Sequence, residues 1–222
     1  MQKFATAAPV SAHVDIPAGL IRFIAADRAD TTVEVLPADA SKSRDVTVAE
    51  QTSVVYADGV LRIETAPVKN RVLGAAGSLE VTVQLPAGSR VEAKAASADF
   101  RGVGRLGDVT FECAQASVKL DEAAGARLAL AAGDITVGRL NDSAEIRTQK
   151  GDIRIAEAVR GTVTLRTEAG EISVGATRGA RASLDAGTAY GRVHNALQNA
   201  GGDIDLHIQA TTAYGDIVAR SL

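Results

Sequence analysis

The stretch GDIRIAEAVRGTVTLRTEAGEISV, residues 151–174, contains one short phrase twice. Gly-Asp-Ile-Arg-Ile at residues 151–155 is followed by Gly-Glu-Ile-Ser-Val at residues 170–174. In each copy apolar and polar residues alternate, which is typical of a strand with one buried face. A glycine before each strand allows a sharp corner, where a side chain would clash or φ must be positive. The stretch therefore predicts a repeating unit of corner and strand.

The same phrase recurs through the second half of the chain. Its corner glycines are separated by 26, 18, 19, 21 and 24 residues. A period near twenty residues is typical of a β-solenoid, in which each coil buries its apolar face against its neighbours. The predicted corner glycines are Gly107, Gly133, Gly151, Gly170, Gly191 and Gly215. We therefore predict an all-β chain, a β-solenoid or β-helix-like stack of coils of about 20 residues.

The first part of the chain repeats less regularly. Asp58-Gly59 between two apolar runs is a hairpin signal, and residues 39–47 and 66–78 are predicted to be loops. We expect an N-terminal antiparallel β cap and first layers over residues 1–88, and solenoid repeats over residues 89–222, in one continuous domain. A cap is needed because an open solenoid end exposes unpaired strand edges.

Composition excludes several classes of function. The net charge is -3 and no basic tract occurs, so we expect no nucleic-acid partner. No run of about 18 apolar residues occurs, so we expect no membrane insertion. Residues 1–19 lack the apolar core of a signal peptide, and we therefore expect a cytoplasmic protein.

Three polar residues near the end of the chain form a candidate metal site. Asp203, Asp205 and His207 share one face of a predicted strand by its period of two, as a metal or an acid–base pair requires. The polar face of a half-buried strand has the same pattern, and we favour that interpretation. The acidic corner residues could also stack and bind calcium, which is the less favoured alternative. We therefore predict no metal site.

Other candidate sites are few. Tyr190 and Tyr214 occupy equivalent places in the repeated phrase Thr-Ala-Tyr-Gly, and they are the candidate ligand-binding residues. Residues 102–107 match the dinucleotide fingerprint G-x-G-x-x-G, but a strand pattern follows where that site needs a helix. We therefore expect no cofactor. No catalytic constellation is recognised in the sequence, so no catalytic residue is predicted.

The serial Gly-Asp-Ile/Val phrases and the lead-in Leu-Pro-Ala-Gly-Ser at residues 85–89 resemble those of a known family. It is the bacterial putative-adhesin family of β-strand-repeat proteins, a domain family of unknown function. The resemblance covers most of the chain and is strongest from residue 79 onward. It implies a β-solenoid-like fold and carries over no catalytic residues.

Three functions remain open at this stage. We favour a non-enzymatic structural or interaction protein, whose flat faces serve protein–protein association or self-assembly. The alternative is an adhesin-like binding module for a carbohydrate or another surface ligand. A polysaccharide-active β-helix enzyme is the third and least favoured hypothesis, because the sequence offers no clear pair of carboxylates.

Overall fold

The computed structural model of the protein describes residues 1–66, 77–198 and 202–222. These residues form nineteen strands and one short helix, which confirms the predicted all-β class. None of the described helical structure is long and apolar enough to cross a membrane. The elements are β1 (Gln2–Ala5), β2 (Ser11–Ala26), β3 (Asp30–Pro37), α1 (Ser43–Gln51), β4 (Thr52–Ala57), β5 (Val60–Thr65), β6 (Leu79–Pro86), β7 (Arg90–Leu106), β8 (Val109–Gln115), β9 (Val118–Ala123), β10 (Ala126–Ala132), β11 (Ile135–Leu140), β12 (Ala144–Lys150), β13 (Ile153–Ala158), β14 (Gly161–Ala169), β15 (Ile172–Ala176), β16 (Ala182–Tyr190), β17 (Val193–Ala196), β18 (Leu206–Tyr214) and β19 (Ile217–Ser221).

The strands lie in two ladders, and each coil contributes one strand to each ladder. The first ladder has the order β4-β5-β2-β7-β8-β10-β12-β14-β18-β16. The second has the order β1-β3-β6-β2-β7-β9-β11-β13-β15-β19-β17. The long strands β2 and β7 take part in both. Along the stack, from β2 through to β16 in the first ladder and to β17 in the second, every pairing is parallel. This arrangement confirms the predicted β-solenoid.

Apolar side chains stack in register between the two ladders. Ile135, Ile153 and Ile172 pair in succession in the second ladder, and all three are completely buried. In the first ladder Leu128 pairs with Ile146 in the same way. Full burial of such a side chain stabilises the fold by about 1.5–3 kcal/mol. The apolar residues of the alternating sequence pattern therefore face this core, and the polar residues between them face solvent.

The stacking order departs from the chain order at both ends of the solenoid. The coil of β18 and β19, here called the intercalated coil, lies between the coil of β14 and β15 and the coil of β16 and β17. We call the coil of β16 and β17 the terminal coil. At the other end β2 lies between β7 and the pair β5 and β6.

The N-terminal end contains the expected antiparallel pairings, β1 with β3, β3 with β6 and β4 with β5. The prediction of a loop over residues 39–47 was wrong for residues 43–47, which belong to α1, whereas residues 39–42 form a turn before the helix. The helix lacks a side-chain cap, and its short length hides its periodicity, but Val48 is buried in the core. The predicted loop over residues 66–78 lies mostly outside the described residues.

Candidate functional site

Five of the predicted corner glycines form one column where the chain passes from the first ladder to the second. A Cβ on Gly151 would lie 2.2 Å from the carbonyl oxygen of Gly133, and its φ is +139°. Backbone of the neighbouring coil therefore occupies the place of a side chain. The five glycines of this column are Gly133, Gly151, Gly170, Gly215 and Gly191, in stacking order.

The sixth predicted corner glycine lies at a different edge of the coils. Gly107 separates β7 from β8, where the chain passes from the second ladder back to the first. Its backbone N–H donates to the carbonyl oxygen of Ser89 at 2.8 Å, at the opposite edge of the coils. The position equivalent to the other corners in that coil is Ala116, whose carbonyl oxygen faces Gly133. The repeated Gly-Asp-Ile/Val phrase thus occurs at both edges.

Acidic side chains next to the corners bind backbone of the next coil. The Asp134 carboxylate accepts a hydrogen bond from the N–H of Asp152 at 2.8 Å, and Asp152 accepts one from the N–H of Glu171 at 2.9 Å. At the end of the stack Asp216 accepts one from the N–H of Arg192 at 2.9 Å. Among the described residues, no group of three His, Cys, Asp or Glu side chains is arranged to hold a metal ion.

The three candidate metal ligands have separate surroundings. Asp205 accepts two hydrogen bonds from the Arg181 guanidinium, at 2.9 and 2.8 Å. These bonds hold the pKa of the Asp205 carboxyl below its usual range. His207 Nδ1 lies 3.0 Å from the Ser183 hydroxyl, and Asp203 lies in a bend before β18. Asp205 and His207 therefore link the intercalated coil to the terminal coil.

The two candidate ligand-binding tyrosines are in contact. Tyr190 and Tyr214 pair in register, and their rings stack with centroids 4.9 Å apart and planes inclined by 4°. Both are largely exposed, with 68% and 59% of their surfaces accessible. The structure therefore brings these two predicted residues together at the corner of the last two coils.

The terminal coil is the outermost coil at one end of the described solenoid. Within the described residues, β16 pairs only with β18 and β17 pairs only with β19. Val193 occupies the column of the buried residues Ile172 and Ile217, yet 44% of its surface is exposed. Leu184 of β16 also faces the interior and is only partly buried. Among the described residues, the apolar side chains of this coil are therefore less completely buried than those of the inner coils.

The opposite end of the solenoid is covered by α1. The helix connects β3 of the second ladder to β4 of the first, and it contacts both strands as well as β5 and β6. Val48 enters the core, and the buried Asp45 carboxylate accepts a hydrogen bond from the N–H of Ser78 at 3.0 Å. In the part of the chain that the structure describes, a helix therefore lies over only one of the two ends.

Sequence reasoning missed the terminal coil as a site. Leu184, Ala186 and Val193 are ordinary apolar residues in an ordinary strand pattern. The repeated phrase Thr-Ala-Tyr-Gly is a partial signal, because it indicates that the two coils are similar. It does not reveal which of the two is outermost, because that order depends on pairing between distant residues.

Parallel coils, stacked corner glycines and a continuous aliphatic core define a β-solenoid protein. The chain belongs to the Toastrack DUF4097 family, whose model matches residues 14–221. Among curated proteins, none matches the chain.

Solved structures similar to this chain share little sequence with it. A putative adhesin from Parabacteroides distasonis is 14% identical, with 98% of this chain and 95% of that chain covered and a TM-score of 0.49. A putative lipid binding protein from the same species is 13% identical, with 98% and 95% covered and a TM-score of 0.45. A putative cell adhesion protein from Clostridium sporogenes is 11% identical, with 100% and 98% covered and a TM-score of 0.41.

Proposed function

We propose that the protein is a non-enzymatic interaction scaffold that binds a protein partner at its terminal coil by strand addition. The observation that carries this proposal is the difference between the two ends, since α1 covers one and no described element covers the other. A sheet edge with free backbone groups is a ready template for another strand.

The backbone of β16 is suited to strand addition. Gly161 N–H donates to the Asp205 carbonyl, and Leu206 N–H donates to the Arg181 carbonyl. In a parallel ladder successive residues direct their backbone groups to opposite sides. The even-numbered residues of β18 therefore bond to β16. In β16 the backbone groups of Leu184 and Ala186 point away from β18, toward the outer edge. These outward groups have no described partner strand.

The length and composition of β16 strengthen the case. The strand has nine residues, and Asp185 is its single charged residue. Proteins usually protect exposed edges with short strands, prolines or several charges. At the opposite end of the same ladder β4 has six residues and follows α1 directly. The edge at β16 is the less protected of the two.

Amide hydrogen exchange tests the proposal. In dilute purified protein we expect the amides of Leu184 and Ala186 to exchange quickly, while those of β18 are protected by pairing on both sides. Added extract of the source cells should slow exchange at these two amides. The variant Ala186→Pro removes the outward N–H, a position where an edge strand tolerates proline. Its Leu184 amide should gain no protection. Fast exchange of these amides in the wild type, both with extract and in concentrated pure protein, contradicts the proposal.

The tyrosine stack supports a second candidate function, binding of a carbohydrate. One face of the Tyr190 ring rests on Tyr214, and the residue is 68% exposed, so a sugar ring can lie on the other face. A glycan array compared between the wild type and Tyr190→Ala tests this idea. Leu36→Ala, which removes an exposed apolar side chain on β3, is the matched control. Identical binding by all three proteins contradicts a carbohydrate site.

A further inference from the structure

We propose that the partner of the terminal coil is a second copy of this chain, and that the product is a closed dimer with two-fold symmetry. This inference rests on the proposed function, since it names the strand that is added. Within the described residues, α1 lies over one end of the solenoid and no strand or helix pairs with the outer side of the terminal coil. Joining two terminal coils uses the outer side of both, so the assembly stops at two copies.

Two-fold symmetry requires the two β16 strands to run antiparallel. Residues 183–189 of the two copies overlap when the symmetry axis passes between the two copies of Ala186. Ala186 is among the residues that direct their backbone groups outward. The two copies of Ala186 would then face each other and exchange two backbone hydrogen bonds, the closely spaced pair of an antiparallel ladder.

The side chains of β16 fit this register. Asp185 lies opposite Gly187 of the second copy, so no two like charges are directly opposite. The two aspartates are diagonal neighbours, about 7–8 Å apart. On the inner side Leu184 lies opposite Thr188 of the second copy. Leu184 and Ala186 are partly exposed in one chain, and the side chains of both copies would become buried in the dimer.

The first test is the mass in solution over a wide concentration range, measured by sedimentation equilibrium. The mass should rise from that of one chain and level off at two. A mass of one chain up to about 1 mM, or growth beyond two copies, overturns the inference. Ala186→Pro should remain a folded monomer, as judged by an unchanged circular dichroism spectrum.

Charge variants of Gly187 test the register. A Cβ there meets no atom within 4 Å and the residue is exposed, so a side chain can be added without disturbing the coil. Gly187→Asp places a like charge opposite Asp185 of the second copy, and Gly187→Lys places an opposite charge there. By symmetry each dimer contains two such pairs, so Gly187→Asp should weaken and Gly187→Lys should strengthen dimerisation, by about 2- to 30-fold each. Equal effects of the two variants contradict this register.

The two proposals fail in distinguishable ways. Slow exchange at Leu184 and Ala186 in concentrated pure protein supports the second copy as the partner. If these amides are protected only when cell extract is present, the interaction scaffold stands and the second copy is the wrong partner. If they exchange quickly under both conditions, both proposals are wrong.

Discussion

The hydroxyl of Thr167 donates a hydrogen bond to the carbonyl oxygen of Gly151, at 3.0 Å. The threonine lies in one coil and the glycine forms the corner of the coil next to it. Thr188 bonds to Gly215 in the same way, also at 3.0 Å, although Gly215 comes later in the chain. The threonine hydroxyl therefore bonds to the corner glycine of the adjacent coil in the stack, whichever of the two comes first in the chain. These hydrogen bonds hold adjacent coils together at their corners.

The variant Thr167→Val should destabilise the fold. The substitution keeps the shape of the side chain but leaves the Gly151 carbonyl without this donor. We expect the free energy of unfolding to fall by about 0.5–1.5 kcal/mol, measured by urea denaturation. Thr136→Val is the control, because Thr136 lies on the outer face and has no described side-chain hydrogen bond. Equal losses in both variants would show that the bond to the corner contributes nothing.

Gly151→Ala should destabilise the fold more strongly. The φ of +139° is unfavourable for any residue with a Cβ, and the new atom would lie 2.2 Å from the Gly133 oxygen. The strained backbone alone costs about 1–3 kcal/mol, so we expect a total loss of about 2–4 kcal/mol. Gly187→Ala, where a Cβ has free space, should change stability by less than about 1 kcal/mol. A loss below that limit for Gly151→Ala contradicts the close approach of the corners.

The variant Val48→Ala tests the cover at the N-terminal end. It removes two methyl groups at a position that is 5% exposed, so we expect a loss of about 1–3 kcal/mol in urea denaturation. Thr47→Ala, on the exposed side of the same helix, should change stability much less. If the two variants are equally stable, α1 does not pack against the core.

The ion pair of Arg181 and Asp205 should make stability depend on pH. The folded chain holds the pKa of Asp205 below its value in the unfolded chain, so the pair stabilises the fold above pH of about 4. This contribution is lost as pH falls through the folded-state pKa. The difference in urea midpoint between the wild type and Asp205→Asn should therefore be largest near neutral pH and shrink on acidification.

The control for this prediction is Asp203→Asn, because Asp203 has no described ion pair. Its urea midpoint should stay close to that of the wild type over the same range of pH. A constant difference between the wild type and Asp205→Asn from neutral to acidic pH would contradict the assigned ion pair.

Local patterns were sufficient to predict the coils. Alternation at residues 151–174 defines which side chains enter the core, and glycine defines where the chain must turn. Both are properties of a few adjacent residues. The same reasoning could not assign Gly107 to one edge, because glycine occurs at corners of both edges and a strand follows each of them. Successive strands alternate between the two ladders, so successive corners alternate between the two edges. The edge of a given corner therefore depends on how many strands precede it.

The ends of the solenoid could not be predicted in this way. The sequence of β16 resembles that of β18, and the order of the two is decided by pairing with β14, which lies more than forty residues before β18. The helix α1 is stabilised by packing of Val48 rather than by its own propensity. The tyrosine pair could be predicted because both tyrosines lie in the repeated phrase Thr-Ala-Tyr-Gly. The outer edge of β16 beside them could not be predicted, because it depends on the stacking order of β16 and β18.

The position of the intercalated coil has a consequence for biosynthesis. A solenoid stacked in chain order can fold coil by coil as the chain leaves the ribosome. Here the terminal coil, β16 and β17, is synthesised before β18 and β19, the strands on which it rests. It therefore has no native neighbour until residues 206–221 have emerged. We therefore expect the terminal coil to reach its native packing only after that segment has been synthesised.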